Sequence, residues 1–515
     1  MSEDNGLPRG WARARVQKIM TLINGFPFKP SDWKPAGLPI IRIQNLNNPN
    51  AAFNYCPDAR PEKFRVRAGD LLFAWSGTPG TSFGAHIWKG EDAWLNQHIF
   101  RVEFDRDAFD VRFLRLAINQ NLTAYIRQAH GGAGLAHITK GRFEESELLI
   151  APTNEQRRIV AKIEELFSNL DAGVAALERA KANLKRYRAA VLKAAVDGSL
   201  TAEWRAKHPN VEPATKLLER ILVERRRKWE ADQLAKFAAA GKQPPKNWKA
   251  KYIEPLPPDT SSLPELPEGW CWATTEQQNA AERPISYGVL QPGRDIDKGV
   301  PLIRVCDVAD GKVAIEKLKR IDEAISNQFK RTIIQGGEVL LTVVGTIGRT
   351  AVAPAELAGA NTARAVAVIA TASSTNPHFL EMTLRESSMR AKLTLAAHEV
   401  ARKTLNLEDV RTVAVPLAPL EEQQEILQQV AAALSQIDAA EQAVEHGLKR
   451  AARLRQSILK QAFEGKLVPQ DPNDEPASDL LARLKVARHD RFASNGEMNG
   501  EDKRPKKARA SKARS

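Results

Sequence analysis

Gly69-Asp70-Leu71-Leu72-Phe73-Ala74-Trp75-Ser76-Gly77-Thr78-Pro79-Gly80 is met a second time, 268 positions downstream, as Gly337-Glu338-Val339-Leu340-Leu341-Thr342-Val343-Val344-Gly345-Thr346-Ile347-Gly348. Each copy is a short apolar run, rich in β-branched or aromatic residues, that ends in a glycine turn, which reads as a strand and its exit loop. The offset persists along the chain. Pro152-x-x-x-Gln156 answers to Pro419-x-x-x-Gln423, and Lys193, Gly198 and Leu200 answer to Lys460, Gly465 and Leu467, 267 positions apart. A spacing held over this distance marks a duplicated unit. Two like units in one chain suit paired half-sites.

Each unit opens alike, with Leu7-Pro8-Arg9-Gly10-Trp11 and Leu266-Pro267-Glu268-Gly269-Trp270. Further strands are expected at Ile40-Ile41-Arg42-Ile43 and Leu302-Ile303-Arg304-Val305, with helices near 111–128 and 377–395. After the Pro-containing junctions the periodicity changes. Apolar or small residues fall four and three apart at Ile159, Ile163, Leu166, Leu170, Gly173, Leu177, Ala180, Leu184, Tyr187, Val191 and Ala194. The second unit repeats the stripe with Ile426, Val430, Ala433, Ile437, Ala440, Val444, Gly447, Ala451, Leu454, Ile458 and Gln461. That is the seam of a coiled coil, on a helix of about 55–60 Å. Two such seams in one chain bury each other most economically, and an antiparallel pair satisfies a pseudo-twofold relation. The fold class expected is therefore α+β, with two mixed globular domains joined by two long paired helices, a parallel pair setting the domains side by side and an antiparallel one at opposite ends.

The expected boundaries are a first globular domain over 1–150, a long helix over 151–205, and a charged helix with Pro-rich linker over 206–263. A second globular domain over 264–415, a second long helix with closing segment over 416–484, and a disordered basic tail over 485–515 follow.

With 515 residues, 43% of them apolar, the chain supports several packed cores. A formal charge of +14 and a pI near 9.6 favour a polyanionic partner. Cys56, Cys271 and Cys306 lack any zinc or disulfide spacing. No run approaches the ~18 apolar residues of a membrane span, so a cytoplasmic protein without membrane contact is expected.

No catalytic constellation emerges. The phosphate-cradling G-x-x-x-x-G-K-[ST] loop and the dinucleotide G-x-G-x-x-G turn are absent, as is the [DNS]-P-P-[YFW] tetrapeptide of amino-methyltransferases. His130 and His137 are too far apart for a helical metal pair, so neither a metal nor a catalytic residue is expected. Asp70 and Glu338 read as acidic turn residues at strand starts. The G-T-x-G loops are better candidates, because bare glycine amides and a hydroxyl approach phosphates or base edges closely. DNA contacts are expected from Trp75, Ser76, Gly77, Thr78, Arg101, His130, Lys140 and Arg142 in the first unit. In the second they are expected from Tyr287, Thr342, Gly345, Thr346, Arg349, Arg364, Lys403 and Thr404.

The L-P-x-G-W openings, the A-P-x-x-E-Q-type junctions, the long helices and the closing Asp197-Gly198-Ser199-Leu200 and Glu464-Gly465-Lys466-Leu467 together resemble the specificity (S) subunits of type I restriction–modification systems. The likeness spans Leu7 to about Leu484. It implies two target-recognition domains, each reading one half of a bipartite double-stranded DNA sequence, with the two long helices forming an antiparallel coiled coil that fixes the gap. It also implies two methyltransferase subunits that bind S-adenosylmethionine, and restriction subunits that use ATP and Mg, with no cofactor bound by this chain. The competing readings are a coiled-coil adaptor that reads no DNA and a fused methyltransferase or nuclease.

Overall fold

The computed structural model describes residues 6–48, 50–78, 81–122, 124–125, 136–399 and 403–497. The chain forms two compact lobes, Met1–Leu177 with His446–Ser515, and Glu178–Glu445. Each lobe is thus assembled from both repeats.

In the first lobe, strand Ala12–Arg15 pairs antiparallel with Glu147–Ile150 and ties the domain's start to its end. Between them, Met20–Asn24, Ile99–Phe104, Leu71–Ala74 and Gly84–Ile87 lie side by side in that order as an antiparallel sheet. A second sheet is ordered Asn54–Cys56, Leu38–Ile41, Ala93–Leu95, Arg65–Val66, with its central pair parallel. The unbroken apolar run Leu71-Leu72-Phe73-Ala74 has a physical reason. Successive side chains point to opposite faces of a strand, and here both faces are covered. Leu71 and Phe73 enter one core with Phe100, Tyr125 and Phe143, while Leu72 and Ala74 enter another with Ile41, Leu95 and Ile99. Phe73 stacks on Phe143 with ring centroids 3.9 Å apart.

The second lobe repeats this plan. Cys271–Thr274 pairs with Ala414–Leu417, and a sheet is ordered Ser286–Tyr287, Val366–Ile369, Val339–Thr342, Thr350–Val352. Val300–Ile303 runs parallel to Asn361–Thr362, as Leu38–Ile41 does to Ala93–Leu95. Val339 and Leu341 enter one core and Leu340 another. Gly25 and Gly288 hold corresponding close approaches. A Cβ would stand 2.0 Å from the Asn96 carbonyl oxygen at the first and 1.9 Å from that of Thr362 at the second, so only glycine fits.

The long helices are Thr153–Val196 and Leu420–Phe463, each of 44 residues, or about 66 Å. In the first lobe Ile159, Val160 and Ile163 pack with Ala462 and Phe463, Asp171 pairs with Arg455, and Leu177 lies against Gly447. Numbers rise on one helix as they fall on the other, so the segments are antiparallel. In the second lobe Val191 and Ala195 pack with Ile426 and Val430, and Arg188 reaches Glu441 at 3.0 Å, again antiparallel. Of the seam residues, Ile159, Ile163, Val191, Ile426, Val430, Ile437 and Val444 are buried, and Leu166, Leu170, Leu177, Leu184 and Ile458 half-buried. Leu454 departs from the expected seam and is 44% exposed. Ala451 and Arg455, whose guanidinium covers Phe167 at 4.4 Å, take the facing positions instead.

Each lobe is closed by a segment of the other repeat's tail. The Ala214 amide donates to the Gly269 carbonyl at 2.7 Å and the Ala477 amide to the Gly10 carbonyl at 2.8 Å. Helix Ala214–Ala239 then docks through Leu217 and Ile221 on Ala273 and Leu417, while Ala477–Glu497 docks through Leu480 on the first core. The helix therefore continues to Glu497, into the stretch expected to be a disordered tail, because Leu480 and Leu484 give its start an apolar face. The rest of that tail, 498–515, lies outside the described residues.

The opening tryptophans anchor these joints. Trp11 Nε1–H donates to Glu155 at 3.1 Å and Trp270 Nε1–H to Glu422 at 2.9 Å, both acceptors standing in the first turn of a long helix. Gln156 and Gln423 bond back to the carbonyls of Ala151 and Ala418 at 2.9 and 2.8 Å. Asp70 and Glu338 accept amides of their own turns, from Arg67 at 2.8 Å and from Gln335 at 2.7 Å.

Candidate nucleic-acid interface

In the first lobe the strand Leu71–Ala74 leaves its sheet at Trp75. The next two residues, Ser76 and Gly77, pair with Ala136–His137, and the Ile138 amide donates to the Trp75 carbonyl at 3.0 Å. Ser76 and Gly77 are consequently buried, whereas Thr78 is exposed, its amide donating to Ser82 Oγ at 2.9 Å. A Cβ on Gly77 would meet that Ser82 oxygen at 2.4 Å, which explains the glycine. Trp75 is half-buried between His98, at 5.3 Å between ring centroids, and His137, at 4.7 Å, with Phe100 at 5.9 Å. Burial pushes the His98 imidazole below its ordinary pKa, and the charge of His137 pushes it further down.

Not every expected contact faces outward. Arg101 is a brace: one arm donates to the Arg65 carbonyl at 2.6 Å and the other meets Glu103 at 2.7 Å. Lys140 donates to the Leu22 carbonyl at 3.0 Å and stands 3.5 Å from Glu144. Arg142, on helix Lys140–Glu145, also has a partner already. His130 lies outside the described residues.

The second lobe builds the same edge with other side chains. The Leu405 amide donates to the Val343 carbonyl at 2.9 Å, as Ile138 does to Trp75, and the Gly345 amide donates to the Lys403 carbonyl at 3.2 Å. Val344 bridges to Thr404. Thr342 is fully buried, and its Oγ1 accepts the Arg349 amide at 2.9 Å, so its hydroxyl closes the loop, while Arg349 is half-buried. Gly345, Thr346, Arg364 and Lys403 are exposed. Tyr287 donates its hydroxyl to the Leu405 carbonyl at 2.7 Å. Burial pushes that phenol up, with Arg364 and Arg411 among the opposing charges. The edge thus brings together Tyr287, Gly345, Thr346, Arg364, Lys403 and Thr404.

Sequence reasoning missed Gln97 and His98 and gave His137 no binding role. The signal lay in the repeat itself: Gln97 precedes Arg364, and His137 precedes Thr404, by the same 267 positions. Among the described residues no group of three or more His, Cys, Asp or Glu could hold a metal, and no helix is long and apolar enough to cross a membrane.

The chain matches the family model for the type I restriction modification DNA specificity domain over residues 8–182 and 296–451. It is 32% identical over 497 residues to the type I restriction enzyme EcoBI specificity subunit of Escherichia coli, covering 94% of this chain and 93% of that one. The EcoKI specificity subunit of Escherichia coli K12 is 24% identical, over 95% of this chain and 97% of its own. A solved chain, from a study of complex assembly and conformational transition of the type I R-M system, superposes with a TM-score of 0.57 at 18% identity. It covers 89% of this chain and 99% of itself, and so shares the fold. With both halves matched, in order and with the duplicated architecture intact, this chain belongs to the family of type I restriction–modification specificity subunits.

Proposed function

We propose that the chain is the non-catalytic DNA-reading subunit of a type I restriction–modification complex, each lobe reading one half of a bipartite duplex target. The observation that carries this reading is one edge built twice. In both lobes a strand exit, a glycine loop and a late chain segment are pinned by equivalent backbone bonds, and different side chains are mounted on them. A shared frame with divergent tips suits recognition of two different short words, since frame contacts position while side chains specify. The long helices set the distance between the words, and together with the closing segments they offer the surfaces on which two methyltransferase subunits assemble. Restriction subunits join that assembly. S-adenosylmethionine, ATP and Mg act in those partners, which also carry out the bond-making and bond-breaking steps.

The test is binding by the chain assembled with its methyltransferase subunits. A salt-sensitive preference for one split sequence, and adenine methylation only in the presence of those subunits, is the expected result. Methylation by the chain alone, or equal binding to all duplexes, refutes the reading.

A further inference from the structure

We propose that His98 and His137, braced by Trp75, form a proton-taking DNA contact on the first lobe, so that this lobe grips its half-site by accepting a proton as the duplex arrives. The inference rests on the DNA reading above and asks how one of its two edges obtains positive charge.

A polyanion calls for cations at its binding edge. The second lobe has an exposed permanent cation there, Arg364. At the equivalent position the first lobe carries Gln97. Its expected permanent cations are committed elsewhere, Arg101 to the Arg65 carbonyl and Glu103, Lys140 to the Leu22 carbonyl and Glu144. Among the described residues in ring contact with Trp75, the groups able to gain charge are the two imidazoles, at 5.3 and 4.7 Å. His98 is exposed and His137 half-buried, so a ligand can reach them. Trp75 Nε1 is shielded and has no hydrogen-bond partner, which leaves the ring held by packing between its neighbours.

Among the described residues, the remaining ionisable groups on the neighbouring elements are Arg101 and Glu103 on the strand Ile99–Phe104, and Lys140, Arg142, Glu144 and Glu145 on the helix Lys140–Glu145. In the free lobe, desolvation and the charge of His137 hold the His98 imidazole below its ordinary pKa. A phosphate oxygen or a guanine N7 placed against the pair reverses that balance, because imidazolium donates from both nitrogens and neutral imidazole from one. The proton comes from solvent. Since binding raises the imidazole pKa, the added affinity is present at low pH and is lost as pH rises through the bound-state value.

The experiment measures affinity of the assembled methyltransferase complex for its target duplex by fluorescence anisotropy, at constant ionic strength, from pH 6 to pH 8. For one proton taken up, affinity of the unaltered complex should fall about tenfold per pH unit relative to the His98→Gln/His137→Gln double variant. Arg364→Gln should weaken binding without changing this pH dependence. A ratio between unaltered and double-variant complexes that stays within about twofold over the range overturns the proposal. Calorimetry of the unaltered complex in two buffers of different ionisation enthalpy gives the proton count without any substitution. About one proton taken up supports the proposal, and none overturns it. Sequence preference that persists without pH coupling sinks this inference alone, whereas absence of sequence preference at every pH sinks the DNA reading.

Discussion

Replacing Glu422 by alanine should unfold the second lobe's joint while sparing the first lobe. The Glu422 carboxylate is 1% exposed and gathers Trp270 Nε1–H at 2.9 Å, Thr201 Oγ1–H at 2.7 Å and Arg205 Nη2–H at 2.7 Å. Three segments far apart in sequence thus meet on one carboxylate: the domain opening, the tail of the first repeat and the start of the second long helix. Removing it strands a largely buried guanidinium and two further donors. Breaking a buried ion pair from one side costs about 3–5 kcal/mol. Among the described residues the corresponding Glu155 accepts directly from Trp11 alone, its neighbour Arg158 pairing instead with Asp474 at 2.6 Å. Glu155→Ala should therefore cost only about 1–3 kcal/mol, the value of one buried hydrogen bond left unmade.

Hydrogen exchange resolves the two lobes. Amides of Cys271–Thr274, paired with Ala414–Leu417, should exchange roughly 10²–10³-fold faster in Glu422→Ala, in proportion to the lost opening free energy. Amides of Ala12–Arg15 should keep their rates. A loss below about 1 kcal/mol, or one shared equally by both lobes, would mean that the carboxylate is not the joint described.

Three further outcomes follow from the same geometry. Burial holds the Glu155 carboxyl above its ordinary pKa, so its favourable contribution is present below the ordinary carboxylate range and is lost as pH rises through the raised value. Glu155→Gln should accordingly leave the first lobe at least as stable at neutral pH and flatten its pH dependence, and a melting temperature lowered at pH 7 contradicts this. Gly288→Ala drives a Cβ onto the Thr362 carbonyl and should cost the second lobe about 3 kcal/mol or more in urea unfolding, where a neutral result would show that the approach is not rigid. Inserting one heptad after Leu177 and another after Val444 adds about 10 Å of helix. That should lengthen the unread spacer by roughly three base pairs of ~3.4 Å, as read from mapped N6-methyladenine, and an unchanged spacer removes the helices as its measure.

Much of the fold was legible because duplication supplies an internal check. A strand read at Leu71–Ala74 gains weight when Val339–Thr342 repeats it, and a heptad stripe gains weight when it recurs in register. Legibility failed where structure depends on partners distant in sequence. Arg101 looks like a DNA contact until the Arg65 carbonyl closes on it, and Thr342 looks presented until its hydroxyl is seen capping Arg349. Leu454 satisfies the heptad arithmetic, yet the small residues Gly447 and Ala451 narrow the contact and leave it outside. The docking of Ala477–Glu497 was also readable. Glu475-Pro476-Ala477 with Leu480-Leu481 repeats Glu212-Pro213-Ala214 with Leu217-Leu218, but at an offset of 263 rather than 267, which hides it from a search at one fixed spacing.

The two edges bear on what kind of sequence the protein reads. Positions that hold the frame agree between repeats: Trp11 with Trp270, Glu155 with Glu422, Gln156 with Gln423, Gly25 with Gly288. Positions that the frame presents do not agree. Trp75 stands where the second lobe has Val343, Gln97 where it has Arg364, and His137 where it has Thr404. A guanidinium offers a fixed fork of donors matched to guanine, whereas a carboxamide offers one acceptor and donors matched to adenine. Identical frames carrying such different tips should read different bases, so the bipartite target should not be a palindrome. Exchanging Gln97 and Arg364 between lobes should alter both half-sites, and methylation maps of the exchanged protein can be compared with those of the original. A palindromic target, or maps that the exchange leaves untouched, would show that these tips do not carry the specificity.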